Sequence, residues 1–158
     1  MKRWKQDDGW GQPVSITAWG RFHIVHRGPD GEIKNEFIVP NLVVTTGKIM
    51  LAGVLTGAAT PFARNLAIGT ATTTPLVGDT VLGAEQGTRV SAQFALTATT
   101  AYYTGIFTAN NPATQQVIAE YGLLSLNAVG YLFVHSTAPA ITKATGDSLQ
   151  VDYQIAIT

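Results

Sequence analysis

Three histidines, a few acids and three tryptophans are the residues of this chain equipped for chemistry, and their spacing limits what each can do. His23 and His26 stand three apart in the run Phe22-His23-Ile24-Val25-His26. Successive side chains of a strand alternate between faces, so these imidazoles point apart and make a poor chelating pair. His135 could approach them only through the fold. Hydrogen-bonded or solvent-exposed strand histidines are the expectation, with no metal site.

Glu120 is the one charge between Arg89 and Lys143, and it sits in the apolar run Val117-Ile118-Ala119-Glu120-Tyr121-Gly122-Leu123-Leu124. A buried carboxylate needs a partner. Arg89 and Arg64 are the natural cations, and a buried Glu120–Arg89 ion pair at the edge of the core is expected. No second acid or base is placed to turn Glu120 into a catalytic acid. Glu85 and Arg89 can pair across a turn, and Asp147, following Gly146, suits a turn in which its carboxylate binds its own backbone. Asp7-Asp8-Gly9 reads as part of a solvated leader.

Trp4, Trp10 and Trp19 are the chain's tryptophans. Such rings can form a stacking platform for a sugar or a single-stranded nucleic acid. Trp4 and Trp10, however, lie in a Gly/Gln/Asp-rich leader too short to fold alone, so their rings must be buried against the body or against another chain. All three are read as anchors of a protein interface, with cover for the chain's own core as the alternative. No G-x-S-x-G, phosphate-binding Gly-rich loop, H-E-x-x-H or calcium-loop pattern occurs. With no nucleophile and base placed together, neither an enzyme nor a cofactor is expected.

The elements that must position these residues belong to a charge-poor chain. From Ile49 to Thr158 only Arg64, Asp79, Glu85, Arg89, Glu120, Lys143, Asp147 and Asp152 are charged, about 7% against the roughly 25% of an ordinary domain. A surface that sparse in charge implies another protein chain packed against it. The first 48 residues hold the other twelve charges and all the tryptophans. The chain of 158 residues fits one domain. Its net charge of zero gives no long-range attraction to nucleic acid or to an anionic membrane. No apolar stretch reaches the roughly 18 residues of a membrane helix, and the N-terminus does not resemble a signal peptide. A protein made and used without export is expected. The absence of cysteine excludes disulfides and thiolate metal sites.

Strand signals dominate. Phe22 to His26 and Ile33 to Val39 flank the turn cluster Gly28-Pro29-Asp30-Gly31 and predict a hairpin. Further strands are expected at 65–69, 88–96, 102–108, 116–121, 130–136 and 148–157. In the last, Leu149, Val151, Tyr153, Ile155 and Ile157 alternate with Gln150, Asp152, Gln154 and Ala156. One short helix is expected over 47–56, capped by Thr45 or Thr46, with Met50, Leu51, Val54 and Leu55 on one face and Gly57 as its stop. The fold class is all-β: a β-sandwich of jelly-roll type or a related barrel over residues 21–158, preceded by an extended arm over 1–20.

Pro40-Asn41-Leu42-Val43-Val44-Thr45-Thr46-Gly47-Lys48, then Leu66-Ala67-Ile68-Gly69-Thr70 with Asp79-Thr80-Val81-Leu82, follow Asp30-Gly31 in an order that resembles a group of small tailed-phage virion proteins. Ile118-Ala119-Glu120-Tyr121-Gly122-Leu123-Leu124 and the ending Ile141 to Leu149 resemble the same group. The resemblance spans about residues 30 to 157. It implies a structural β domain, a homotrimer, with no catalytic residues to carry over.

Composition and resemblance agree on an assembly protein, and the resemblance implies one of a virion, assembled in the host cytoplasm. The leading expectation is a capsid decoration, or cement, protein that bridges subunits of the major capsid protein, with residues 1–20 as the arm that grips them. A tail-fibre, baseplate or connector component, in contact with tail proteins, is the alternative. From another class, a carbohydrate-binding module fits a sandwich that bears tryptophan.

Overall fold

A computed structural model describes residues 17–57, 62–125 and 130–158. In chain order the elements are β1 (Ala18–Arg27), β2 (Ile33–Pro40), β3 (Leu42–Val43), α1 (Thr45–Thr56), β4 (Asn65–Gly69), β5 (Glu85–Ser91), β6 (Gln93–Thr97), β7 (Thr100–Phe107), β8 (Gln116–Leu124), β9 (Leu132–Lys143) and β10 (Ser148–Ile157). They build an all-β sandwich of two five-stranded sheets. The first runs β2-β1-β10-β7-β6 and the second β3-β9-β8-β4-β5. Every pairing is antiparallel.

Period-two patterning explains the two sheets. In β10, Leu149, Val151, Tyr153 and Ile155 are buried while Gln150, Asp152 and Gln154 turn outward. Beside it, β1 buries Phe22 and Ile24 and turns Trp19, Arg21 and His23 outward. The second sheet meets these inner faces with Leu66, Ile68, Ile118, Leu123 and Val134. Phe22 joins the layers: its ring centroid lies 4.7 Å from that of Tyr153 and 6.2 Å from that of Tyr121.

The sheets are also joined along both margins. At one, the chain leaves β2 and enters β3 with only Asn41 between them; at the other, β5 passes into β6 with only Ala92 between. The expected single strand over 88–96 is therefore two strands in different sheets. Its pattern is continuous, but at Ala92, whose N–H donates to the Arg64 carbonyl at 2.7 Å, the chain turns the corner of the sandwich. Strand order alone does not single out the jelly-roll winding.

Helix α1 starts at Thr45, and neither Thr45 nor Thr46 caps it. Val44 holds the cap position without a side-chain bond, the Thr45 N–H donates to the Val77 carbonyl at 2.8 Å, and the Thr46 hydroxyl donates to the Leu132 carbonyl. Gly57 ends the helix at φ 68, in the left-handed region that suits glycine. Gly47 lets the helix lie against β9, since a Cβ there would come within 2.2 Å of the Phe133 carbonyl oxygen. Of the expected apolar face only Met50 is buried; Val54 and Leu55 are exposed.

Strand β1 begins before the expected boundary at residue 20. Ala18 already pairs with Ile157, and Thr17 and Thr158 exchange backbone hydrogen bonds at 2.8 and 2.9 Å. Trp19 thus belongs to the sheet. Trp4, Trp10 and the rest of the expected arm through residue 16 lie outside the described residues.

Candidate functional site

Most charges of the body are buried or half-buried. Of the eight from Ile49 onward, Glu120, Lys143 and Asp147 are buried at 0–1% exposure. The side chains of Arg89, Asp79, Glu85 and Asp152 keep only 7%, 25%, 27% and 27% of their exposure. Arg64 alone among the eight is exposed.

Glu120 finds a partner other than the expected one. Its carboxylate accepts from His135 Nε2 at 2.8 Å and from the N–H groups of Gly83 at 2.6 Å and Ala84 at 3.1 Å. Arg89 instead grips Glu85 through Nε at 2.7 Å and Nη2 at 2.8 Å, the pairing its spacing allowed. The physical reason is pairing within the sheet. Glu120 opposes Gly69 on β4, and His135 comes from neighbouring β9 two residues from the Thr137 that pairs with Glu120. On its far side His135 Nδ1 faces Asp79 Oδ2 at 2.7 Å. Burial alone would lower the His135 pKa, but hydrogen bonds to Glu120 and Asp79 outweigh it and raise it above 6.5. Burial likewise works to raise the Glu120 carboxyl, and His135 with the two backbone donors overcomes it. The imidazolium thus clasps the loop over residues 70–84 onto the second sheet.

His26 and Asp147 form a second internal cluster. His26 Nε2 donates to Asp147 Oδ2 at 2.8 Å, and Asn35 Nδ2 donates to His26 Nδ1 at 3.0 Å. Lys34 Nζ donates to the other Asp147 oxygen at 2.8 Å, and the Ala144 N–H donates to Oδ2 at 3.0 Å, closing the expected turn. His23, on the other face of β1, presents Nε2 to Glu36 at 2.8 Å. The two β1 histidines therefore face opposite sides with different partners.

What this leaves outside is an uncharged edge. Strand β6, Gln93-Phe94-Ala95-Leu96-Thr97, is exposed along its whole length at the margin of the first sheet, with Phe94 at 61% and Leu96 at 74%. Edge strands normally carry charge, proline or a bulge that blocks pairing with another chain. This one has neither charge nor proline. Beside it the Arg64 guanidinium lies 5.2 Å from the Phe94 ring centroid and 5.6 Å from that of Phe62. Phenylalanine and arginine are both enriched in protein interfaces relative to the rest of the surface. A second apolar surface is a depression of about 480 Å3 between α1 and the sheet margin, lined by Val43, Leu51, Val54, Leu55, Ala18 and Ile157.

Sequence reasoning singled out Trp19, and the structure leaves its ring 48% exposed on the outer face of the first sheet, beside Arg21 and His23. It missed Phe62, Phe94 and Leu96. The available signal was a strand pattern with no charge on either face between Arg89 and Glu120.

Compared with protein-family models, curated proteins and solved structures, the chain matches none.

Proposed function

We propose that this protein is a structural assembly protein of a tailed-phage virion, acting as a homotrimeric capsid decoration protein that bridges subunits of the major capsid protein. The observation that carries the reading is the Phe62–Arg64–Phe94 stack beside the charge-free β6 edge. Desolvating this surface costs little, because seven of the eight body charges are held in internal pairs or at low exposure. Among the described residues β6 pairs with β7 alone, so the edge offers backbone groups to a neighbouring strand, and the rings offer the apolar anchor beside them. Several modest footholds on one trimer add through effective concentration, so a shell gains stability from contacts that are weak singly. A tail-fibre or baseplate component is the second reading. It is favoured by the polar, aromatic-bearing outer face of the first sheet.

Light scattering gives the mass in solution, and co-sedimentation with empty shells gives binding. A trimer that saturates shells, and a Leu96→Lys variant that does neither while melting normally, are the expected results. A wild-type chain that stays monomeric and ignores shells overturns the reading.

A further inference from the structure

The outer face of the first sheet is laid out by strand register. Arg21 lies beside Gln154, and Gln154 beside Tyr102; one row on, His23 lies beside Asp152, and Asp152 beside Thr104. These side chains line a depression of about 420 Å3, within the range of small-ligand sites. Its polar groups hold one another in place. Arg21 Nε donates to Gln154 Oε1 at 3.1 Å and Gln150 Nε2 to Asp152 Oδ2 at 2.8 Å, while His23 Nδ1 stands 3.4 Å from the same Asp152 oxygen. The other oxygen, Asp152 Oδ1, is buried beneath the face without a hydrogen-bond partner among the described residues, so the 27% exposure of this side chain comes from its other atoms.

The chemistry of a fitting ligand follows. Arg21 and Asp152 bring opposite charges to the depression, so the face favours neither a strong anion nor a strong cation. An apolar ligand would strand the amides and carboxylates without partners. Donors and acceptors are interleaved, which matches hydroxyl groups, since each can both give and accept a hydrogen bond. Tyr102, 42% exposed, supplies a ring at one side, and Trp19 supplies another one row beyond Arg21. We infer that this face binds a neutral oligosaccharide, with Asp152 and Gln154 taking hydroxyls and Tyr102 stacking on a sugar ring. The site uses residues other than the β6 edge, so it stands or falls apart from the assembly reading.

Ligand-observed NMR and calorimetry with chitotetraose, maltohexaose and cellohexaose test it on the full chain. Saturable binding of at least one probe is expected, with a Kd on the order of 1 mM. Tyr102→Ala and Asp152→Asn should each weaken it about tenfold or more while the melting temperature of Asp152→Asn stays near wild type. Leu96→Lys should bind the sugar normally. Absence of saturable binding to all three probes, or binding indifferent to both substitutions, overturns the inference.

Discussion

Glu120 and His135 meet at 2.8 Å inside the second sheet, the carboxylate fully buried and the imidazole nearly so. Because Glu120 also takes the N–H groups of Gly83 and Ala84, and His135 also takes Asp79, one ion pair ties a fifteen-residue loop to the sandwich. Glu120→Ala strips His135 Nε2 and the Gly83 and Ala84 N–H groups of their shared acceptor, so it should cost about 3–5 kcal/mol in denaturant unfolding.

The same cluster sets a pH dependence. The His135 pKa is raised on folding, so its contribution is complete below 6.5 and is lost as pH rises through the higher folded value. The Glu120 and Asp79 carboxyls are lowered, so theirs is present above 4.5 and 3.8 and is lost on the acid side. NMR titration of the His135 ring should give a pKa above 6.5, and Asp79→Asn should bring it down.

Stronger acid should act through Asp147. Burial alone would raise its pKa, but the Lys34 ammonium, the Ala144 N–H and His26 hold it at about 2, below its ordinary 3.8. The stability it contributes, on the order of 2 kcal/mol, is present above 3.8 and disappears as pH falls toward about 2. Asp147→Asn should flatten the acid limb of a stability curve measured between those values.

The β6–β7 hairpin turns through Ala98 at φ 51, a conformation that costs a residue with a side chain about 1 kcal/mol. Ala98→Gly should therefore raise stability by about 0.5–1 kcal/mol, despite loosening the unfolded chain. An unchanged or lower denaturation midpoint would contradict this account of the turn.

Close backbone approach at Gly47 gives the opposite sign. A methyl group there would strike the Phe133 carbonyl, which is backbone and cannot swing aside. Gly47→Ala should cost about 1–3 kcal/mol by overpacking, despite alanine's better helix propensity. Circular dichroism melts of the two proteins decide it.

Much of the fold was legible in local pattern. Strand β4 spans Asn65–Gly69 and β10 spans Ser148–Ile157, both as expected, because alternation and turn residues are local properties of the chain. Gly57 stops the helix for the same kind of reason. The scarcity of charge from Ile49 onward was equally plain. Three features belong to tertiary structure alone. A continuous β pattern over 88–96 could not show that the chain changes sheets at Ala92, since both halves obey the same period. Glu120 needed a partner, but residue types could not choose between Arg89, Arg64 and His135; strand order did, by putting β9 beside β8 and leaving Arg89 with Glu85 and Arg64 between two rings. Whether a scarce charge or an aromatic ring faces water is likewise a matter of which surfaces meet. Sequence determined that this chain would fold as charge-poor β-structure; packing decided that most of its few charges are paired or half-buried and that Phe62, Phe94 and Leu96 face out.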